Sequence, residues 1–125
     1  RVAVVLTDMG KPDETVAREL QGAHVLMLEF NWDPQLMDQS PYPASLRRRI
    51  PGDRGHLSNE QAAAMLERLA SDSLHTLVLA HLSKKTNRPE IALETAQRTI
   101  DRLGLTRQVR VLVASQDQVG DSLEV

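Results

Sequence analysis

Four short apolar runs alternate with amphipathic helical stretches, and this alternation constrains the fold more than any other feature of the chain. The runs cover residues 2–7, 24–29, 75–80 and 108–114 and are rich in valine and leucine. Apolar residues at helical spacing lie between them, within residues 12–21, 58–69 and 88–103. Strands and helices in this order are typical of one class of domain. The sequence therefore predicts an α/β fold.

Turn and cap residues support these boundaries. Gly22 and Gly104 follow two of the predicted helices, and Ser58 with Gln61 three positions later forms a capping-box pattern. Prolines and a glycine interrupt residues 30–55, so we predict a long loop there with short helical turns such as residues 44–49. A loop of this length in a compact domain is usually functional. A polar turn and a short extended tail over residues 122–125 follow the last strand.

Composition narrows the classes of function. The 125 residues, 41% hydrophobic and 26% charged, fit a single globular domain. A formal charge of -2 and only three aromatic residues argue against a general polyanion-binding surface. The absence of cysteine excludes disulfides and thiolate metal sites, which leaves histidine and carboxylate side chains as ligands. The lack of cysteine fits a cytoplasmic protein, which is what we expect. The sequence shows no signal-peptide pattern and no apolar run of membrane-spanning length, so we expect no membrane partner.

Polar residues follow three of the predicted strands. Asp8, Glu29 and His81 each stand at the end of an apolar run, and His56 precedes a predicted helix. If the strands are parallel, these side chains meet at one edge of the sheet, where α/β folds place their chemistry. Each residue taken alone has an ordinary alternative as a turn residue, a solvated charge or a helix-terminus residue. Their joint placement indicates a functional site.

Several segments of the chain resemble a known family of hydrolases. These segments are residues 6–10 (Leu-Thr-Asp-Met-Gly), 28–33 (Leu-Glu-Phe-Asn-Trp-Asp), 41–43, 53–60 and 80–89. In order and spacing they are similar to the second half of metallo-β-lactamase-fold hydrolases, most of all to the YycJ/WalJ-type phosphodiesterases and exonucleases, which are related to ribonuclease Z. The resemblance implies that residues 1–125 form the C-terminal half of an αββα sandwich.

The resemblance also implies a metal site. Members of this family bind two divalent ions, zinc or manganese, and a hydroxide held between the ions attacks phosphorus. Asp8 matches the aspartate that bridges both ions, although Met9 stands where the family's Asp-Thr-Gly motif has threonine. His81 matches a histidine that binds one ion. These residue types suit the task, because a carboxylate can share its oxygens between two cations and a neutral imidazole offers one directional nitrogen.

By the same resemblance, His56 donates a proton to the departing oxygen, and Glu29 orients and charges the imidazole of His56. Histidine exchanges protons near neutral pH, and an adjacent carboxylate favours the protonated donor form. The branch commonly has a histidine where this chain has Trp32. We therefore predict that Trp32 is a wall of the site or a stacking surface for a nucleobase.

Polar residues near these positions are candidates for substrate contacts. Lys84 and Arg88 follow His81 and could bind the phosphates of a nucleic acid or of another nucleotide phosphodiester. Asn31 lies in the family-like segment two positions after Glu29, and we predict that it also binds substrate. The arginines at positions 47–49 and 54 are more typical of a solvated surface.

Part of the family's metal site is missing from these residues. The motif His-x-His-x-Asp-His, which belongs to the first half of the family's fold, occurs nowhere in the sequence, and His24 and His75 open strands and are predicted to be structural. The sequence also enters an apolar run directly after Arg1, so we expect the N-terminal half to be absent and the fragment to be inactive alone. One face of the sheet would then be bare, which predicts pairing with the missing half, or a homo-oligomer formed by strand exchange.

Other functions stay open at this point. A non-enzymatic domain of receiver-like size would use Asp8 as a phosphoacceptor or the edge of the sheet as a ligand site. A receiver, however, needs its phosphorylated aspartate after the third strand, where this chain has His81. A lactonase or thioesterase of the same fold would keep the metal site and change the reaction. We predict a dinuclear-metal hydrolase of phosphodiesters, a nuclease or a cyclic-phosphate phosphodiesterase, because the pairing of His56 with Glu29 favours phosphodiesters.

Overall fold

Four parallel strands form a sheet in the order β1-β2-β3-β4. They are β1 (Ala3–Leu6), β2 (Val25–Glu29), β3 (Thr76–Ala80) and β4 (Arg110–Val113). The computed structural model describes residues 1–40, 43–45 and 55–114, and the structural statements below concern these residues. The register places Leu6 beside Leu28 and Glu29 beside Ala80, so the first three strands end at a common edge. We call this edge the carboxyl edge and the opposite one the amino edge.

The helices of the described residues connect these strands. They are α1 (Glu14–Leu20), α2 (Pro34–Asp38), α3 (Asn59–Leu69) and α4 (Pro89–Arg102). Sequence-adjacent strands that are parallel require crossover connections, and α1, α3 and α4 supply them. The predicted α/β fold is therefore confirmed.

Cap residues explain where the helices begin. Asp13 accepts the main-chain N–H groups of Thr15 and Val16 at the start of α1. At the start of α3, the Ser58 hydroxyl accepts a hydrogen bond from the main-chain N–H of Gln61. In return, the Gln61 side chain accepts a hydrogen bond from the main-chain N–H of Ser58. The predicted capping box is thus confirmed.

One helix was not predicted. Residues 34–38 lie in the stretch that we expected to contain only a loop with short turns, yet they form α2. Asp33 accepts the N–H of Leu36, and Pro34 occupies the first turn, where its missing N–H costs nothing. Asp33 and Pro34 are a typical helix N-terminus, but the other prolines nearby favour a loop, so the sequence pattern does not single out this helix. The predicted turn over residues 44–49 lies mostly outside the described residues, as do the arginines at 47–49 and 54 and the tail over 122–125.

The hydrophobic core lies between the sheet and the three crossover helices, which lie side by side. Alternate residues of the strands enter it, together with the apolar stripes of the helices. Its members include Val4, Leu26, Leu28, Leu77, Leu79, Ala17, Met65, Leu66, Ala96 and Ile100. This rigid layer fixes the strand ends from which the polar residues emerge.

The second face of the sheet is unevenly covered. Val5, on the opposite face of β1 from Val4, is 63% exposed, whereas Val78 and Ala80 of β3 are buried. Apolar exposure on this face is therefore concentrated at the edge strand β1. None of the described helices has the length and apolar character that a membrane crossing requires.

Candidate active site

The carboxyl edge brings together the four site residues that the sequence predicts. Asp8 follows β1, Glu29 is the last residue of β2, and His81 directly follows β3. His56 lies three positions before the first residue of α3. The parallel register explains their meeting, since strands that run in the same direction end side by side.

Glu29 lies at the centre of the group. Its side chain is completely buried, and its carboxylate contacts three groups, two imidazole rings and one main-chain N–H. His56 Nδ1 lies 3.1 and 3.0 Å from the two oxygens, His81 Nδ1 lies 3.1 Å from Oε2, and the main-chain N–H of Asp8 lies 3.2 Å from Oε1. A buried carboxylate is costly unless it is paired and hydrogen-bonded, and these donors offset that cost.

The contacts of Glu29 also fix which nitrogen of each histidine is engaged. An ionised carboxylate can only accept, so the geometry assigns the proton of each ring to Nδ1 when Glu29 is ionised. The Nε2 atoms of both rings are then the atoms that can meet a metal ion or a substrate. The family resemblance pairs Glu29 with His56 alone, and the contact of Glu29 with His81 is a second role that the sequence does not indicate.

The backbone is strained at the two residues that match the family's metal ligands. Among the described non-glycine residues, Asp8 (φ 58°) and His81 (φ 54°) are the ones with positive φ. Side chains disfavour this left-handed region, and residues that occupy it concentrate at functional sites. The sheet ends therefore hold Asp8 and His81 in conformations that local preference alone would not select.

The donor atoms at this edge suit a divalent cation. Asp8, Glu29 and His81 each offer a ligand atom, and these atoms lie within 4.8 Å of one another. The Asp8 side chain is 69% exposed, with Oδ1 3.6 Å from His56 Nδ1, so its carboxylate is accessible. Carboxylate and imidazole are ligands that zinc and manganese accept. The residues present fit such an ion, for which Asp8 and His81 would be the accessible ligands while Glu29 would orient His81.

A short extended segment connects the two loops that supply the histidines. We call residues 30–33 the bridging segment. On one side, the Asn31 Nδ2 amide donates to the His81 carbonyl at 2.6 Å, and the Ser83 N–H donates to the Asn31 carbonyl at 2.9 Å. On the other side, Trp32 Nε1 donates to the His56 carbonyl at 2.9 Å. The bridging segment therefore contacts the main chain of both histidines.

A buried pair of amides stabilises the same region. The side chains of Asn59 and Asn87 donate to each other at 2.9 Å in both directions, and Asn87 Nδ2 also donates to the Phe30 carbonyl at 2.9 Å. Both asparagines are almost fully buried. The pair joins the start of α3, the bridging segment and the loop after His81. Nothing in a single sequence marks which asparagines face each other, so this pair is seen only in the folded chain.

The predicted substrate residues occupy different environments. Lys84 and Arg88 lie exposed on the loop that follows His81, on the same side of the sheet as the site. Asn31 is half-buried, and its amide nitrogen is engaged by His81. Trp32 is half-buried too, with an indole N–H that contacts the His56 carbonyl. That contact was not among the roles we predicted for Trp32.

Two curated proteins are similar to the chain over most of its length. It is 31% identical over 104 residues to Exodeoxyribonuclease YycJ of Bacillus anthracis, a match that covers 83% of this chain and 39% of that protein. It is 35% identical over 89 residues to Exodeoxyribonuclease WalJ of Streptococcus pneumoniae serotype 2 (strain D39), covering 71% of this chain and 33% of that protein. The chain therefore spans well under half the length of the relatives it matches. No protein-family model matches it.

Proposed function

This chain belongs to the YycJ/WalJ-type branch of the metallo-β-lactamase-fold hydrolases, and from that premise we propose that it forms the C-terminal half of a metal-dependent nuclease. Its relatives are named exodeoxyribonucleases, which makes DNA the first substrate to test. The observation that supports the proposal most strongly is the buried carboxylate of Glu29, which engages Nδ1 of both His56 and His81.

In this proposal Asp8 and His81 are metal ligands. Two divalent ions, zinc or manganese, would supply positive charge to the phosphoryl oxygens and lower the pKa of the attacking water. Asp8 offers an exposed carboxylate at the end of β1, and His81 offers Nε2 because Nδ1 is held by Glu29. A carboxylate behind a ligating imidazole fixes its orientation and raises its basicity.

His56 is the proposed proton donor. Its Nδ1–H is held by Glu29, so a second proton on Nε2 is the one that can be given to the leaving oxygen as the P–O bond breaks. The negative charge of Glu29 stabilises the protonated ring before the transfer. After the transfer the imidazole is neutral, and its Nδ1–H still donates to Glu29. The side chains of Lys84, Arg88 and Asn31 are proposed to contact the substrate phosphates.

The chain is proposed to be inactive alone. Asp8 and His81 supply too few ligands for two ions, so the N-terminal half, with its His-x-His-x-Asp-His motif, would supply the others. The exposed Val5 on the second face of β1 suits a strand or sheet contact with that half, or with a second copy by strand exchange. The proposed location in the cytoplasm stays a prediction.

The test uses the complete protein that contains these residues. Asp8→Ala should lose bound metal, measured by elemental analysis after gel filtration, together with DNA hydrolysis. His56→Ala should keep its metal and lose turnover by about 10²- to 10⁴-fold, the usual contribution of a positioned acid. His24→Ala at the amino edge is the matched control and should retain both. Full DNA hydrolysis by Asp8→Ala and His56→Ala would refute the assigned roles.

A substrate panel separates this proposal from other reactions of the same fold. We expect hydrolysis of DNA or a cyclic phosphodiester, and no turnover of lactones or thioesters. Turnover of a lactone or thioester with a higher kcat/KM than any phosphodiester would replace the proposed reaction while leaving the metal site in place.

A further inference from the structure

We propose that Trp32 is a positioning residue for His56, acting through the hydrogen bond from its indole N–H to the His56 main-chain carbonyl. The inference rests on the proposed function, in which His56 gives a proton to the leaving oxygen. It gives Trp32 a role that differs from a wall or a stacking surface for a base.

The contact is well placed to fix His56. Trp32 Nε1 lies 2.9 Å from the His56 carbonyl oxygen, in a partly buried position. His56 belongs to no helix or strand, and the residue before it is Gly55, which restricts the backbone least. A hydrogen bond to its carbonyl therefore limits a rotation that the local sequence leaves free.

The main chain of the bridging segment strengthens this arrangement. The Asn31 N–H donates to the Leu57 carbonyl at 3.0 Å, and the Asn59 N–H donates to the Trp32 carbonyl at 2.8 Å. These bonds hold the residues just after His56 in a short parallel bridge with Trp32. The indole bond extends that bridge by one residue, to His56 itself.

Asn31 makes the corresponding contact on the other side. Its amide donates to the His81 carbonyl at 2.6 Å, so neighbouring residues each contact the backbone of one histidine. Successive side chains of an extended segment point to opposite sides, which explains how Asn31 and Trp32 reach two different loops. Glu29 contacts the rings of both histidines, and the bridging segment donates hydrogen bonds to the main-chain carbonyls of both. Because Glu29 and the bridging segment are consecutive in the chain, one continuous stretch sets the separation of His56 and His81.

The indole nitrogen distinguishes positioning from stacking. Trp32→Phe keeps an aromatic face and removes the N–H donor, whereas Trp32→Leu removes both. If Trp32 positions His56, then Trp32→Phe already slows DNA hydrolysis. If Trp32 only stacks on a base, phenylalanine is tolerated and leucine raises KM for DNA.

The test compares two substrates in the complete protein. DNA has an alkoxide leaving group that needs a proton, while bis(p-nitrophenyl) phosphate has a phenolate that leaves without one. We expect Trp32→Phe to lower kcat on DNA roughly tenfold, the equivalent of one hydrogen bond, with KM unchanged. On the nitrophenyl ester the rate should stay within about twofold of the wild type, as for a change away from the reacting atoms.

His56→Ala tests the proposed function separately. This variant should also lose kcat on DNA and keep its rate on the nitrophenyl ester, and its loss on DNA should exceed that of Trp32→Phe. If His56→Ala lowers both rates equally, the role of His56 as proton donor fails. If His56→Ala shows the dependence and Trp32→Phe does not, the positioning role of Trp32 fails while the proposed function stands.

A second measurement does not depend on activity. Trp32 is the only tryptophan among these 125 residues, and in the complete protein its indole N–H resonance is identified as the one that Trp32→Phe removes. We expect this proton to exchange slowly with water, and exchange to become faster in His56→Gly, because a second glycine after Gly55 loosens the backbone that carries the acceptor carbonyl. Exchange at the rate of a free indole in the unmodified chain would overturn the inference.

Discussion

The two edges of the sheet each hold a pair of histidines, and the pairs differ in the groups that their rings contact. At the carboxyl edge, His56 and His81 contact the buried carboxylate of Glu29. At the amino edge, His24 Nδ1 accepts the N–H of Val2 at 3.0 Å, and His75 Nδ1 lies 2.8 Å from the Thr76 hydroxyl. Among the described contacts, neither amino-edge ring meets a carboxylate.

The backbone differs in the same way. His81 has a positive φ, whereas His24 and His75 do not. The His75 N–H donates to the His24 carbonyl at 2.9 Å, so the main chain at the amino edge forms ordinary sheet contacts. A histidine at a strand end is therefore not by itself a sign of a catalytic or metal-binding site. The contact with the buried carboxylate of Glu29 separates the two pairs, and His81 adds a strained backbone.

The largest expected effect comes from changing Glu29, the residue that both histidines of the carboxyl edge contact. Glu29→Gln keeps the size of the side chain but replaces one acceptor oxygen by a donor, which conflicts with the Nδ1–H of His56 or His81. In the complete protein we expect metal affinity to fall by about 10- to 100-fold, the usual cost of losing a group behind a ligand. Competition with a coloured chelator measures it.

The matched control is Thr76→Val at the amino edge. It removes the hydroxyl partner of His75, and metal affinity should stay within about twofold of the wild type, as for other changes away from the site. Equal losses for Glu29→Gln and Thr76→Val would contradict the distinction between the edges.

Sequence reasoning located this contrast but not its cause. Periodicity and strand order were enough to place Asp8, Glu29 and His81 at one edge, because parallel strands end together. The contact of Glu29 with His81 depends on side-chain directions that residue spacing does not encode. The amide pair Asn59–Asn87 joins segments 28 positions apart, and such contacts arise only from tertiary packing.

A second prediction compares two amides. Asn87→Ala removes the partner of Asn59 and of the Phe30 carbonyl at the carboxyl edge, leaving buried polar groups unpaired. The free energy of unfolding should fall by about 1–3 kcal/mol. At the amino edge Gln108 donates to the carbonyls of Asp72 and Leu74 but is exposed, so Gln108→Ala should cost about 0.5 kcal/mol.

Urea unfolding of the two variants measures these differences. Because water can replace the partner of an exposed amide, the order of the two effects follows from burial. A Gln108→Ala loss equal to or above that of Asn87→Ala would show that the carboxyl edge is not the more tightly organised one.

A third prediction concerns the strained backbone. At Asp8, glycine should give a more stable protein than alanine by about 1 kcal/mol, because φ is positive there and glycine adopts it without a steric penalty. At His24 the order should reverse, with alanine more stable by about 0.5 kcal/mol. Comparing glycine with alanine at each position cancels the loss of the native side chain. Thermal and urea unfolding of the four variants measure the two differences, and the same order at both positions would argue against strain at Asp8.

The smallest effect concerns an exposed carboxylate. Asp101, in the last turn of α4, accepts hydrogen bonds from Gln97 and Thr106, and these bonds lower the pKa of its carboxyl. A lowered folded-state pKa contributes stability above the unfolded-state pKa, and that contribution is lost as the pH falls through the folded-state value. Thr106→Val should therefore destabilise the protein slightly at neutral pH and not in strong acid. An equal loss of stability at neutral pH and in strong acid would contradict the view that Thr106 acts through the ionised carboxylate of Asp101.

The central claim is that Asp8 and His81 bind metal while Glu29 orients His81. A crystal structure of the complete protein grown with manganese, with anomalous scattering measured at the manganese edge, tests it most directly. The account predicts an anomalous peak within about 2.2 Å of the Asp8 carboxylate and of His81 Nε2, with His81 Nδ1 still on Glu29. A peak bound by His24 or His75, or one that leaves Asp8 and His81 without metal, would contradict it.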